Sequence, residues 1–473
     1  MNDRIPLSVI PGDYAGLQPG EARCPGPSVQ DIVERDVKPA PPVLREMNYR
    51  FLGDEDVNYS RYYSREYFDR EMQEIWPKVW QWACREEHLP QVGDYYVYEV
   101  GPYSALIVRT EDGIKAYYNS CLHRGTKLRP EEGVGSAQDL RCPYHGWTWK
   151  LDGSLKSVPS AWDFPHVKPA EYKLPEVRVG LWGGFVFINF DENAEPLETY
   201  LDVLPEHFRT WDMGKRFIEL HIAKVLPCNW KTGMEAFLES YHVLETHPQL
   251  LSGTSDANVQ YDLYGDHVTR FYAVGGISSP HLEKPLTEQQ LVDSMLIGDR
   301  SVVGDDLTVG EGETARTVMA RYLRKTLGEK YRASLDHFSD AEMIDTIEYH
   351  VFPNMVLFPG VSLPMVYRFR PLGLDAERCL FEILFLRPVP DSGEHREPPE
   401  VAFVGEDESY GVVAGLDPVL ANVYDQDTGN LRSQQLGFKA SKKRGQTLGN
   451  YQEARIRHFE QVVDRYVARA NKR

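Results

Sequence analysis

A chain of 473 residues exceeds what one hydrophobic core ordinarily supports, so two domains are the expectation. Its composition, 42% hydrophobic and 26% charged, is that of a globular protein, and no uninterrupted apolar run is long enough to span a bilayer. The net charge of −19 argues against a nucleic-acid partner, which needs clustered Lys and Arg; the acidity reads first as a source of solubility, and an acidic face for a basic electron-transfer partner is the alternative.

No apolar stretch follows basic residues at the start of the chain, so no signal peptide is expected. Six cysteines scattered from Cys24 to Cys379 do not form a disulfide scaffold, and a reducing cytoplasm fits them. Cys24, Cys84, Cys228 and Cys379 read as buried small hydrophobes or idle thiols. Residues 1–45, rich in Pro and Gly, read as an extended arm or loose tail. SREYFDREMQEIWPKVW predicts a helix that ends or kinks near Pro77. From Gly93 the chain shortens into alternating runs, YYVYEV, SALIVRT and IKAYYNS, broken by Gly-Pro and Asp-Gly turns. With LRCPYHGWTWKLDGSL and VGLWGGFVFINF these make a small all-β domain, which with its preceding helix is assigned to 46–195.

Residues 196–473 then predict a larger domain, an antiparallel sheet covered by helices, so the fold class is α+β. PLETYLDVLPEHFRTW reads as helical, HIAKVLPCNW starts as a strand, and NWKTGMEAFLESYHVLETH reads as one helix. Strands return at HVTRFYAVGG, NMVLFPG, MVYRFRPLG and CLFEILFLRPV. Amphipathic segments within 285–349, LTEQQLVDSMLIG and TARTVMARYLRKTLG among them, are placed as a cap over a pocket. NYQEARIRHFEQVVDRYVARA predicts a closing amphipathic helix.

Two groups of metal-ligand residues stand out. The first is Cys121-Leu-His123 with Cys142-Pro-Tyr-His145. A structural zinc site usually pairs like with like, whereas here each loop mixes one thiolate with one imidazole. That division lets Cys121 and Cys142 hold one iron of a 2Fe-2S cluster while His123 and His145 hold the other. Neutral imidazoles remove negative charge and raise the reduction potential. Gly125 and Gly146 allow backbone N–H groups near the sulfides, and Pro143, Tyr144, Trp147 and Trp149 are expected to shield the cluster from water.

The second group is Glu239-Ser-Tyr-His242 followed by His247. On a helix Glu239 and His242 share a face, while His247 lies roughly 140° round from His242. Pro248 resolves this, because a residue before proline leaves the α region and the helix ends at His247. Two imidazoles need an anionic partner to hold Fe(II) with open positions for oxygen. The best source is Tyr424-Asp425-Gln426-Asp427-Thr428-Gly429-Asn430, where either aspartate could serve.

From about residue 50 to 460 the chain resembles the Rieske non-heme iron oxygenases, specifically the catalytic α subunit of the ring-hydroxylating type. The likeness rests on CLHRG, CPYHGWTW, LWGGFVFINF, NWKTGMEAFLESYHVLETHPQL and DQDTGN. It implies His242, His247 and Asp427 as ligands of a mononuclear Fe(II), with Asp425 the second candidate. It makes Glu239 a hydrogen-bonded bridge, not a ligand, between a Rieske His of a neighbouring subunit and an iron-ligand His. Many ring dioxygenases have Asp there, whereas Glu is similar to members acting on choline, betaine or carnitine. Ala236 also stands where Asn is common after the first Glu of this segment. The resemblance implies electrons from an NAD(P)H-dependent reductase, with or without a ferredoxin, and a trimer of α subunits with or without a β subunit.

Met234, Phe237, Leu238 and Val243 are candidate pocket residues whose bland alternative is core packing. With the apolar VFPNMVLFPGVSLP they favour hydroxylation of a hydrophobic aromatic or polycyclic substrate. One rival is a demethylase or monooxygenase of a methyl ether, N-methyl or quaternary amine compound, which calls for an aromatic or acidic cage near the iron. The other is a Rieske electron carrier, which has no need of a second iron.

Overall fold

The computed structural model describes residues 14–298, 307–393 and 397–468. The start of the expected arm, the 299–306 stretch of the expected cap and the last five residues lie outside the described residues. The chain divides into two compact units. One holds Asp69–Tyr200 with Pro371–Asp375 and residues from Tyr466; the other holds residues up to Phe68, Leu201–Arg370 and Ala376–Arg465.

In the first unit the alternating runs become strands. β1 (Gln81–Arg85), β2 (Asp94–Val100), β3 (Tyr103–Thr110), β4 (Gly113–Tyr118), β5 (Gly133–Ser136), β9 (Glu176–Trp182) and β10 (Phe185–Asn189) form one sheet in the order β1-β10-β9-β4-β3-β2-β5. Between them β6 (Leu140–Arg141), β7 (Thr148–Trp149) and β8 (Leu155–Ser157) form a small second sheet. The turn joining β9 to β10 is Gly183-Gly184, both at positive φ, with Trp182 opposite Phe185. Two glycines let a two-residue hairpin twist with its strands. Val97, Leu106, Val108 and Tyr117 point into a core that also contains Cys121, Cys142, Trp147 and Trp149. The helix predicted over residues 64–80 is α1 (Arg65–Glu74), which ends before Pro77 as expected.

The second unit is built on an eight-stranded sheet. Its strands are β11 (Arg216–Leu226), β12 (Gln260–Tyr264), β13 (Val268–Ala273), β14 (Thr346–Val351), β15 (Met355–Leu357), β16 (Met365–Pro371), β17 (Cys379–Pro388) and β18 (Ala402–Val404), ordered β12-β13-β14-β15-β16-β17-β11-β18. β11 and β17 pair antiparallel from Arg216–Pro388 to Leu226–Cys379, and β18 runs parallel beside β11. Besides a short helix in the arm, Val29–Val33, the helices are α2 (Trp230–Glu235), α3 (Val243–Thr246), α4 (Glu288–Gly298), α5 (Ala315–Tyr331), α6 (Asp340–Ile344), α7 (Pro418–Gly429), α8 (Leu431–Ala440) and α9 (Ala454–Ala468). PLETYLDVLPEHFRTW forms two short helices, Leu197–Leu201 and Leu204–His207, rather than one.

Residues 28–68 join this second unit, although the sequence placed 46–68 with the β domain. Polar contacts explain the difference. Gln30 bonds Gln260, Asp36 pairs with Arg316, Asn48 N–H donates to Asp262, and Arg270 takes the carbonyls of Val43 and Glu46. The arm is therefore wrapped along the sheet. Among the described residues no helix is long and apolar enough to cross a membrane, and all six cysteines are free, with Cys84, Cys228 and Cys379 buried.

One buried polar knot lies beneath α2. Tyr62 donates to Glu235 Oε1 at 2.7 Å, Gln446 Nε2 reaches the Tyr62 hydroxyl at 2.7 Å, and Arg61 pairs with Glu460 and Asp464. Burial and the neighbouring Glu460 push the Glu235 carboxyl well up, whereas Glu460, despite its own burial, is held below the ordinary range by Arg61, by its hydrogen bond with Glu235 and by Lys231. Glu235 therefore keeps its proton to higher pH folded than unfolded, and the fold loses stability as pH rises toward that raised value. We expect Glu235→Gln to change stability by no more than about 1 kcal/mol and to flatten the loss of stability as pH rises above the ordinary carboxylate range, read by thermal melts. Glu460→Gln is expected to cost about 2–3 kcal/mol, below the roughly 3–5 kcal/mol of an isolated buried pair, because Asp464 still reaches Arg61.

Candidate metal centre and cluster loops

The two Cys/His loops share one backbone design. The Cys121 carbonyl accepts from Gly125 N–H at 2.9 Å and the Cys142 carbonyl from Gly146 N–H at 3.2 Å. Cys121 N–H donates to Thr126 O, and Cys142 N–H donates to Trp147 O, both at 2.8 Å. Each loop is thus a tight knuckle whose glycine takes positive φ, +77° at Gly125 and +74° at Gly146. Asn119 bonds the carbonyl and the N–H of Arg129, at 2.6 and 2.9 Å, and staples the first loop shut.

The four side chains converge. The His123 and His145 ring centroids are 4.6 Å apart, and His123 stacks on Trp147 at 5.1 Å with a 3° interplanar angle. Burial pushes the Cys121 thiol up; the N–H groups of His123 and Arg124 pull it back, and the Cys142 sulfur is its hydrogen-bonding neighbour. His123 is held below its ordinary range by burial and by His145, so it is neutral, and its Nδ1 is buried with no hydrogen-bond partner. Two adjacent thiols, N–H donors aimed at sulfur and an orphaned imidazole lone pair are what a cluster with mixed ligation requires. Of the expected shields, Trp147 and Trp149 are buried, but Pro143 and Tyr144 are exposed, Tyr144 by 58%. Both project from the second loop, where Tyr144 lies against the His145 ring at 3.7 Å and the Arg124 guanidinium at 5.5 Å.

At the second centre the structure corrects the single predicted helix. α2 stops at Glu235, residues 236–242 are irregular, and α3 resumes at Val243. Glu239 and His242 meet nonetheless. The Glu239 carboxylate accepts the His242 backbone N–H at 3.0 Å and bonds its Nδ1 at 2.6 Å, capping the new helix while holding the ring. His247, at φ −128° and ψ 53°, has left the α region before Pro248, as expected. Its Nδ1 bonds Gln426 Oε1 at 2.9 Å.

Both rings so held present Nε2 to Asp427 Oδ1, His247 at 2.6 Å and His242 at 3.4 Å. Ligand atoms of His242, His247 and Asp427 all lie within 4.8 Å of one another, the only such group of metal-ligand type found among the described residues. Burial works against protonation of His242, but Glu239 and Asp427 outweigh it and lift the imidazole to about 10. Asp427 sits below the ordinary carboxylate range because both imidazoles offset its burial. Rings and carboxylate that together favour a positive charge at this point are where a cation would be held.

Asp425 is not in this group. Two residues from Asp427, it lies on the opposite face of α7, where it accepts from the Ser409 hydroxyl and from Tyr410 N–H at 2.9 Å. A cavity of about 330 Å³ opens on that side, lined by Lys224, Glu406, Asp425 and Arg432; no residue of the triad borders it.

The proposed pocket residues divide. Met234 and Leu238 are fully buried, and Phe237 packs against Tyr367, Phe369 and Phe381 at 5.2–5.5 Å, so these three are core side chains. Val243 is half-buried on α3 beside His242. Tyr424, one turn before Asp427, bonds the Tyr367 hydroxyl at 2.9 Å. α4 packs on the segment after His247, with Ser294 Oγ donating to Ser252 O at 2.9 Å.

Gln426 is the residue that motif reading leaves unassigned. Its position beside Asp427 was visible, but its bond to His247 depends on the fold. Replacing an outer-shell orienter typically costs about 10–100-fold in metal affinity. Gln426→Leu is therefore expected to weaken Fe(II) or Co(II) binding about tenfold, read by titration of the metal-depleted protein.

A mixed Cys/His iron–sulfur β domain followed by an α+β domain with a two-histidine, one-carboxylate group defines a class of two-centre iron proteins. Residues 79–168 match the Rieske [2Fe-2S] domain, and residues 207–469 match the family described as ring hydroxylating alpha subunit (catalytic domain). The latter match covers more than half of the chain, and the protein belongs to that family: it carries a Rieske [2Fe–2S] domain and a catalytic domain for mononuclear iron.

The chain is similar to the oxygenase subunit of glycine betaine monooxygenase from Pseudomonas aeruginosa, 30% identical over 227 residues, 47% of this chain and 51% of the relative. It is also similar to the oxygenase subunit of carnitine monooxygenase from Acinetobacter pittii, 35% identical over 210 residues, 43% of this chain and 54% of the relative. These matches span about half the length of the curated relatives. Its fold is similar to that of a naphthalene 1,2-dioxygenase mutant bound to phenanthrene, with TM-score 0.61 and 19% identity, covering 89% of this chain and 95% of that one.

Proposed function

We propose that the protein is an oxygenase that hydroxylates a hydrophobic ring compound with O2, drawing electrons from an NAD(P)H-dependent reductase directly or through a ferredoxin. The observation that carries this reading is the His242–His247–Asp427 group in the same chain as the mixed Cys/His loops. An electron carrier alone has no use for the second centre. When bound, the [2Fe–2S] cluster supplies electrons singly and ferrous iron activates dioxygen. Cys121 and Cys142 would hold one iron of the cluster, and His123 and His145 the other. His242, His247 and Asp427 would hold the mononuclear Fe(II).

Glu239 and Gln426 keep each imidazole in the tautomer that offers Nε2 to the metal. Glu239 also serves as the bridge to a Rieske His of a partner subunit in a trimer of such chains, with or without a β subunit. A neutral substrate is favoured by the aromatic neighbours of the triad and by the pairing of the nearby acid: Tyr424, one turn before Asp427, bonds Tyr367, and Glu348 is committed to Arg455.

A second reading, oxidation of an N-methyl or quaternary amine compound, is favoured by Glu239 and by the betaine and carnitine relatives. A substrate panel with a surrogate reductase separates them, following O2 uptake against product. Product from mono- or polycyclic aromatics with matched uptake is expected. Product only from betaine- or carnitine-like cations transfers the assignment to the second reading. Protein that holds zinc and lacks visible charge-transfer absorption overturns both.

A further inference from the structure

We infer that Tyr261 and Arg455 are positioning residues: they hold the non-helical Leu238–Tyr241 segment so that Glu239 can grip His242. The inference rests on the reading of His242 and Asp427 as metal ligands. In an uninterrupted helix the His242 N–H would donate to the Leu238 carbonyl. Here that carbonyl faces Arg455 Nη1 at 3.4 Å, and His242 N–H turns to Glu239 Oε2 at 3.0 Å. Ser240, on the other side of Glu239, is held just as firmly. Its hydroxyl donates to Asp256 O at 2.7 Å and meets the Tyr261 hydroxyl at 2.9 Å, while its N–H donates to that same hydroxyl at 3.3 Å. Side chains that capture backbone groups in this way compete directly with helix formation.

Both anchors are rigid. Tyr261 is fully buried on β12, its ring edge-on to Tyr451 at 5.3 Å and tilted against Phe271 at 5.9 Å. Arg455 is fully buried near the start of α9, with Nε on Thr269 Oγ1 at 2.9 Å and Nη2 on Glu348 at 2.7 Å. Neither side chain belongs to the triad. They act on it through Glu239, whose two oxygens hold the backbone and the ring of His242 together. With the anchors removed, the segment is free to close into regular helix, and Glu239 loses its grip while the sheet stays intact.

The test uses full-length protein with its cluster in place and the mononuclear metal removed, titrated with Co(II) alone. Tyr261→Phe deletes one oxygen and leaves Ser240 its bond to Asp256. Arg455→Met alone would strand the Glu348 carboxylate, so it is paired with Glu348→Gln. Each variant is expected to bind Co(II) about tenfold more weakly, with an unchanged visible cluster spectrum and a melting temperature within about 4 °C of the parent. A lowered melting temperature with unchanged Co(II) affinity means ordinary packing residues and overturns the inference. Asp427→Ala separates the two layers: if it binds Co(II) like the parent, the metal-site reading itself fails and the inference falls with it.

Discussion

Asp427→Ala is expected to leave a protein that folds, keeps its visible cluster spectrum and forms no hydroxylated product. Asp427 is the one carboxylate facing both imidazoles, at 2.6 and 3.4 Å, and its helix α7 is capped at the far end by Asp417. Removing it takes away the only anion among the three groups, so two neutral rings remain to hold a divalent cation. The loss of affinity should exceed the about 10–100-fold that outer-shell substitutions cost. Iron analysis after gel filtration reads the result directly: the mononuclear equivalent is missing while the two cluster irons remain. Asp425→Ala, on the opposite face of α7, is expected to retain all three. Equal iron content in parent and Asp427→Ala protein would remove Asp427 from the site.

Glu239→Gln should show the second largest effect, of a different kind. The amide oxygen can still accept from His242 Nδ1, so the ring keeps its orientation and most of the metal is retained. What disappears is the charge and the second acceptor oxygen, which now holds the His242 N–H at 3.0 Å. Product formation is expected to fall by about 10–100-fold or more, with dithionite still reducing the cluster at the parental rate. Decay of the reduced cluster's absorbance on mixing with substrate and O2 is the discriminating measurement. A parental decay rate would confine Glu239 to holding His242 and end its role as the bridge between centres. Three mutational outcomes then become separable. Asp427 controls whether metal is present, Glu239 controls what reaches it, and Gln426 tunes how tightly it is held.

Local features were the legible ones. The Cys/His loops could be read because all their ligands fall within a short stretch whose hairpin turns are written in glycines, and the structure builds both loops on the same glycine-closed knuckle. Residue His247 could be placed because Pro248 acts on its immediate neighbour. The helical character of the Asp427 run was missed, although Asp417 followed by Pro418 is a helix-start signal; Asp417 does accept from Val419 and Leu420 N–H there. The predicted unbroken helix over residues 229–247 failed for a different reason. Its propensity favours helix throughout, and the break comes from Tyr261, Asp256 and Arg455, whose hydrogen bonds cross from elsewhere in the chain. Likewise the arm's attachment to the second unit depends on Asp262, Arg270 and Arg316, each supplying a partner that no local pattern advertises.

By itself the sequence determined the ligand types, the two-domain α+β plan and the pairing of an iron–sulfur centre with a second metal centre. Those depend on short-range spacing and on the chemistry of Cys, His and carboxylate. Only the tertiary structure decided that Asp427 rather than Asp425 faces the imidazoles, that Gln426 and Glu239 each lock one ring, and that Glu239 reaches His242 from a broken helix. Such choices turn on which face of an element meets a residue far away in sequence, and hydrogen-bond competition across that distance outweighs local propensity.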